Sequence, residues 1–182
     1  MKQLLAAKIL SDLDSIENES EQEISSAATS VNILPRTFKV ASFVPGTINL
    51  DYGGGRFDKA TDYLSSLGVT NLVYDPYNRS AEHNNTVMQA IKDNGGADTI
   101  TCNNVLNVIK EDGSRARVIR NIALLLKDGG TAYFCVYKGD GSGVGKETAA
   151  GYQLNKPTKM YLPEISRYFS SVKIHRDIIV AQ

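Results

Sequence analysis

Ile48-Asn49-Leu50-Asp51-Tyr52-Gly53-Gly54-Gly55-Arg56-Phe57-Asp58 is the stretch on which the fold turns. An apolar run over residues 47–50 reads as a strand, an acid closes it, three glycines follow, and an amphipathic pattern over about 57–67 reads as a helix. Glycines at that turn leave no side chains where a ligand would lie, so bare backbone can approach it. Asp75 ends the next apolar run, residues 71–74, where an acid can accept both hydroxyls of a ribose. A glycine cluster alone says little. The order strand, glycines, helix, strand, acid is what points to a nucleotide-like ligand.

The same texture continues outward. Strands are expected at 99–102 and 131–137 and helices at about 81–94, 114–126 and 162–169, with Asp128-Gly129-Gly130 breaking the chain before the fourth strand. This alternation is the appearance of a βαβα domain with a mostly parallel sheet and helices on both faces. Residues 131–137 are too apolar for a half-exposed strand and read as central. The glycine-rich stretch 139–151 reads as a mobile loop over the substrate, at the rim beyond the strand ends, or as a solvated connection. Segments 172–175 and 178–180 read as a strand or tight hairpin, and 37–44, between Pro35 and Pro45, as extended chain or one helical turn.

Upstream, Leu4, Leu5, Ile9, Leu10, Leu13, Ile16 and Ile24 fall at roughly helical spacing among Asp12, Asp14, Glu17, Glu19, Glu21 and Glu23. They predict an acidic amphipathic helix, followed by a small-residue linker at 25–30. The expected organisation is an acidic helical arm over 1–33 and a domain over 34–182. The arm packs on the domain, or docks a second copy or a protein partner.

With 182 residues, 20 basic and 20 acidic, the chain carries no formal net charge, so any nucleic-acid or membrane surface would need a local basic patch. From 138 to 182 seven basic residues stand against four acidic ones, a surplus that could serve a nucleic-acid backbone or dock the acidic arm. No run approaches the ~20 apolar residues of a spanning helix, and the N-terminus lacks the apolar core of a secretion signal. Cys102 and Cys135 sit in expected strands as buried free thiols, which fits a reducing cytoplasm. His83, His175 and the two cysteines lack metal-ligand spacing, so no metal is expected. Gly141-Ser142-Gly143-Val144-Gly145-Lys146 is not a phosphate loop: Asp140 stands where its first glycine belongs and Glu147 where Ser or Thr must follow the lysine.

These motifs resemble the class I S-adenosylmethionine-dependent methyltransferases, through Leu50-Asp51-Tyr52-Gly53-Gly54-Gly55 and Asp75. Within them the chain is similar to DNA phosphorothioation-associated methyltransferases in Tyr74-Asp75-Pro76-Tyr77 and in Val105-Leu106-Asn107-Val108-Ile109 after Ala97-Asp98. The likeness covers about 47–137. It implies a Rossmann-like class I fold, S-adenosyl-L-methionine as cofactor, and a DNA-modification setting. It places Asp51, Gly53 and Gly55, with Tyr52 and Gly54 between them, along the methionine end of the cofactor, Asp75 on the ribose, and Pro76 and Tyr77 beside the adenine. Asn103, Asn104 and Val105 fall where the family faces the transferred methyl, which makes Asn103 and Asn104 the catalytic candidates and adds Asn103 and Val105 to the cofactor site. Both asparagines read equally well as a turn or helix cap. Asn107 is a further group able to orient an acceptor.

The chain departs from the family after Asp75, where room exists for one helix and little else before Ala97. The fold is thus expected to lack a strand on the adenine side. A dinucleotide domain is the competing reading, but its third glycine would fall at Asp58, and a carboxylate there argues for a ligand without phosphate. Two functions stand: methyl transfer to an acceptor that is nucleic acid, protein or small molecule, or a degenerate domain acting as a cofactor-sensing or partner-binding subunit.

Overall fold

The computed structural model describes residues 33–149 and 151–182. The expected acidic helix and its linker lie outside them. In chain order the elements are α1 (Thr37–Val40), β1 (Ile48–Tyr52), α2 (Lys59–Ser66), β2 (Thr70–Tyr74), α3 (Ala81–Asp93), β3 (Ala97–Asn103), α4 (Asp112–Leu125), β4 (Leu126–Cys135), β5 (Gly145–Thr148), β6 (Gly151–Leu154), α5 (Leu162–Ile165), β7 (Val172–His175) and β8 (Ile178–Ala181). Six strands form one sheet in the order β2-β1-β3-β4-β8-β7. The first four are mutually parallel, and β8 runs antiparallel to both β4 and β7. Because α3 alone leads from β2 to β3, β2 is left at the sheet edge. Among the described residues no strand lies beyond β2, as expected on the adenine side.

Side chains alternate across the sheet. Leu50 and Tyr52 of β1, Ile100 and Cys102 of β3, and Ala132 and Phe134 of β4 join the main core with Val87 and Ile91 of α3 and Ile119, Ile122 and Leu125 of α4. The opposite face meets α1 and α2 over a smaller cluster, Phe38, Leu64 and Val69. Helix α3 starts at a Ser80 cap whose hydroxyl accepts the His83 N–H at 3.1 Å. Strands β7 and β8 join through Arg176 and Asp177, both at positive φ, the turn a tight hairpin requires.

Four expectations are corrected. Asp128-Gly129-Gly130 does not separate helix from strand: β4 starts at Leu126, and these residues loop out as a bulge between the Ala97–Leu126 and Thr99–Thr131 pairs. Gly130 is needed there, since a Cβ would fall 2.9 Å from the Asp98 carbonyl oxygen. The second half of the 139–151 loop is a β5–β6 hairpin, with Gly145 beneath the Tyr152 ring, where a Cβ would lie 1.6 Å from the hydroxyl. The helix expected over 162–169 is one turn, α5, entered through a 3₁₀ turn at Thr158–Tyr161. Cys135, moreover, is only half-buried; both thiols are free.

Candidate active site

The site begins as a row of buried polar side chains on the α1/α2 face of the sheet. Asn49 donates through Nδ2 to Asn71 Oδ1 (2.8 Å) and Thr101 Oγ1 (3.1 Å), and its Oδ1 accepts from the Thr99 hydroxyl (2.8 Å). Thr101 in turn donates to Asp51 Oδ1 at 2.9 Å. Asn103 reaches the same oxygen at 3.5 Å and accepts a hydrogen bond from the Thr37 hydroxyl of α1. Asn71 extends the row to Thr61 of α2 at 3.0 Å. Buried polar groups are tolerable because each finds a partner.

Asp51 is the charge in this row. Burial pushes its carboxyl up to about 6, against the smaller opposing pull of the Thr101 and Asn103 hydrogen bonds. Directly above it runs the glycine turn. Gly53, at φ 75°, donates its N–H to the Tyr74 carbonyl at 2.7 Å, and a Cβ there would lie 2.3 Å from Val105 Cγ2. A Cβ on Gly54 would lie 2.7 Å from Asp51 Oδ2 and 2.9 Å from Val73 Cγ1. The turn therefore passes between Asp51 and the end of β2 only as glycine.

Asp75 closes the far side. Its Oδ1 accepts from the N–H groups of Tyr77 and Asn78 (both 2.9 Å) and from Asn78 Nδ2 (3.1 Å). Its Oδ2 accepts the Gly55 N–H at 2.8 Å. Oδ1 is saturated by the turn it organises, while Oδ2 keeps one acceptor position, enough for one ribose hydroxyl rather than two. Arg79 ties the same loop from outside, donating from Nε to the Gly55 carbonyl (2.8 Å) and from Nη2 to Asp58 (2.6 Å). Asp58, at the position a third glycine would fill, is thus an ion-pair partner.

Asp51, Gly53, Gly54, Gly55, Asp75, Asn103 and Val105 come together here. Pro76 is half-buried and Tyr77 exposed in the turn held by Asp75. Tyr52 does not join them through its side chain, which lies in the main core with its ring 5.0 Å from that of Tyr74. Asn104 adopts φ 57° and donates its N–H to the Cys135 carbonyl (2.8 Å), with its side chain exposed. Asn107 is committed elsewhere: its amide donates to Gln153 (3.1 Å) and accepts the Tyr137 N–H (3.3 Å), fastening β6 over the segment after β3. That segment is also clamped by buried Arg115, bonded to the Ile109 and Lys110 carbonyls at 2.9 Å each and to Glu164 at 3.1 Å. Thr101, Thr37 and Arg79 escaped the sequence reading. The alternation of Thr99, Thr101 and Asn103 was the signal for the first of them.

A family model described as a methyltransferase domain matches residues 32–176. The chain belongs to that family. No curated protein matches it. Among solved structures it is similar to CalO1, a methyltransferase in calicheamicin biosynthesis (TM-score 0.53, 16% identity, 86% of this chain and 53% of that one). It is also similar to the sugar N-methyltransferase KedS8 from Streptoalloteichus (0.51, 10%, 86% and 89%) and to human N-acetylserotonin methyltransferase (0.51, 13%, 100% and 55%). The chain spans about half the length of the first and third. These likenesses show the fold, which is that of S-adenosylmethionine-dependent methyltransferases. The residues of this methyltransferase fit that cofactor: two buried carboxylates flank a glycine turn in which a Cβ on Gly53 or Gly54 would clash, an acceptor set suited to a cationic, phosphate-free ligand.

Proposed function

We propose that this methyltransferase moves a methyl group from S-adenosylmethionine to an acceptor that attacks with its own lone pair. The observation carrying this reading is the glycine turn held between Asp51 and Asp75. When bound, the cofactor supplies an electrophilic methyl on a sulfonium. In this reading Asp51 holds its cationic amino-acid end, Asp75 takes a ribose hydroxyl through Oδ2, Pro76 and Tyr77 flank the adenine, and Val105 packs below Gly53 on the methyl side. Asn103 and Asn104 are amides, which neither take up nor release protons at neutral pH, so they orient the acceptor. Rate then comes from positioning more than from proton transfer.

Small molecules lead the acceptor search. KedS8 and the human neighbour are named for a sugar and for N-acetylserotonin, and zero net charge gives no broad phosphate-binding footprint. DNA, implied by the resemblance, is the second arm, and the two free thiols support the reading of a reducing cytoplasm. A cofactor-sensing, partner-binding subunit, working through the arm of 1–33 on a second copy or another protein, is the alternative, favoured by the missing strand beside β2.

Titration calorimetry with S-adenosylmethionine and S-adenosylhomocysteine, on wild type and Asp75→Ala, tests the site. Binding that the variant loses supports it. Absence of binding at ~1 mM, roughly −4 kcal/mol, overturns it. A labelled-methyl screen over small molecules, DNA, RNA and protein then separates enzyme from sensor: binding without transfer to any class supports the sensor.

A further inference from the structure

An edge strand leaves half its backbone groups without a neighbouring strand. In β2 the Tyr74 carbonyl faces inward and accepts the Gly53 N–H, so by alternation Val73 and Asp75 present their backbone groups to the open edge. There the first turn of α3 meets them. Asn84 accepts the Asp75 N–H through Oδ1 at 3.1 Å and donates through Nδ2 to the Asp75 carbonyl at 2.9 Å. His83 Nε2 donates to the Val73 carbonyl at 2.8 Å. Two adjacent side chains thus make the bonds that the missing strand would have made, at the residue whose carboxylate faces the glycine turn.

The composition of α3 agrees. His83, Asn84, Asn85 and Thr86 are all weak helix formers at the start of a helix. Asn84 is also buried, where an amide is tolerated only when both of its ends are bonded. Its Oδ1 and Nδ2 meet the N–H and the carbonyl of one residue, Asp75; the carbonyl also accepts the Arg79 N–H at 3.1 Å, so replacing Asn84 leaves the Asp75 N–H as the group without a partner.

We propose that His83 and Asn84 are positioning residues that stand in for the absent strand, fix the main chain of Asp75, and so set its carboxylate for the cofactor's ribose. This rests on the reading of Asp75 as the ribose acid. Loss of Asn84 frees the Asp75 N–H and leaves the carbonyl with the Arg79 N–H alone, which loosens this main chain so that the carboxylate serves its own turn rather than a ligand.

The experiment compares S-adenosylhomocysteine with its 2′-deoxyribose and 3′-deoxyribose analogues by calorimetry on the full chain. Wild type is expected to prefer the parent ligand over at least one analogue. Asn84→Ala should lose about ten-fold in affinity for the parent and little for that analogue. His83→Ala should lose about three-fold, and His83→Gln, which returns an N–H near Nε2, should restore it. Amide hydrogen exchange supplies a second readout: the Asp75 N–H, protected in wild type, should exchange rapidly in Asn84→Ala while the β3 amides stay protected. Equal loss for parent and analogues would reduce Asn84 to a general stabiliser and overturn the proposal. Unchanged protection at Asp75 would overturn it while leaving the ribose reading intact. A wild type indifferent to both ribose hydroxyls would overturn both. Should Asn84→Ala fail to fold, the His83 pair decides by loss and rescue.

Discussion

The two faces of β1 and β3 are built from alternate residues of the same strands and do different work. Toward α3 and α4, Leu50, Tyr52, Ile100 and Cys102 bury apolar surface in the main core. Toward α1 and α2, Asn49, Asp51, Thr99, Thr101 and Asn103 exchange hydrogen bonds among themselves. Apolar packing is non-directional and supplies stability, whereas hydrogen bonds are directional and add little net stability while fixing angles. The first face therefore holds the sheet together, and the second holds Asp51 under the glycine turn. Strands of a parallel sheet buried on both sides are usually apolar throughout. A polar row in that place marks a site.

Breaking the apolar face should have the largest effect on stability. Phe134→Ala empties a fully buried ring position that also makes an edge contact with Phe169. A loss of about 3–5 kcal/mol is expected in urea unfolding. Cofactor affinity, measured where the variant is still folded, should stay within a factor of about two, because no side chain of the turn is touched.

Asp51→Asn should act in the opposite sense. Burial makes the folded carboxyl hold its proton up to about pH 6, against an ordinary value of 3.8. The folded state therefore binds a proton more tightly than the unfolded chain, and this residue's contribution to stability falls as pH rises from about 4 to 6. The full penalty, about 2–3 kcal/mol by linkage, is present at pH 7 and above. Asparagine keeps an acceptor for Thr101 and carries no charge, so the variant should be more stable than wild type at pH 7.5 and about equal at pH 4. Urea midpoints at several pH values check this. Cofactor binding should weaken, and the rise in affinity expected of wild type as the Asp51 carboxyl ionises around pH 6 should vanish. A variant no more stable at pH 7.5 would show that the row solvates the charge better than burial penalises it.

Thr101→Val sharpens the same comparison at lower amplitude. It removes the donor to Asp51 and the acceptor for Asn49 while keeping the shape. A cost of about 1–2 kcal/mol is expected, larger at pH 8 than at pH 5, because the hydroxyl bonds most strongly to the ionised carboxylate. A loss independent of pH would mean the hydroxyl serves Asn49 and not the charge.

Much of this was legible in the sequence, and the omissions have physical causes. Strand, acid and glycines identify themselves because glycine adopts the positive φ of Gly53 and Gly55 without strain and leaves no Cβ at the close approaches of Gly53 and Gly54. The missing strand was legible as a length, since one helix fills the interval before Ala97. Tyr52 was drawn into the site by adjacency to Asp51, although a strand's period of two sends it to the opposite face. The polar row was hidden because each residue, taken alone, is an ordinary strand or turn residue; only the β1–β3 register aligns Asp51 with Thr101. The bulge at Asp128-Gly129-Gly130 has the composition of a helix-ending turn, and only the pairing of Leu126 with Ala97 distinguishes the two. The acidic arm lies outside the described residues.

The smallest effect is expected where the site meets solvent. Arg79 bonds the Gly55 carbonyl with Nε and pairs with Asp58 through Nη2, and the Asp58 side chain is 60% exposed. An exposed pair of this kind contributes under about 1 kcal/mol and weakens with salt. Asp58→Ala should therefore leave stability and cofactor affinity nearly unchanged. Arg79→Ala should lose about three-fold in affinity, because it also frees the turn carbonyl next to the N–H held by Asp75. The contrast between these substitutions separates the half of Arg79 that belongs to the site from the half that belongs to the surface. Equal losses for the two substitutions in calorimetry at 0.1 M salt, both shrinking at 0.5 M, would mean that the ion pair, rather than the carbonyl bond, holds the glycine turn in place.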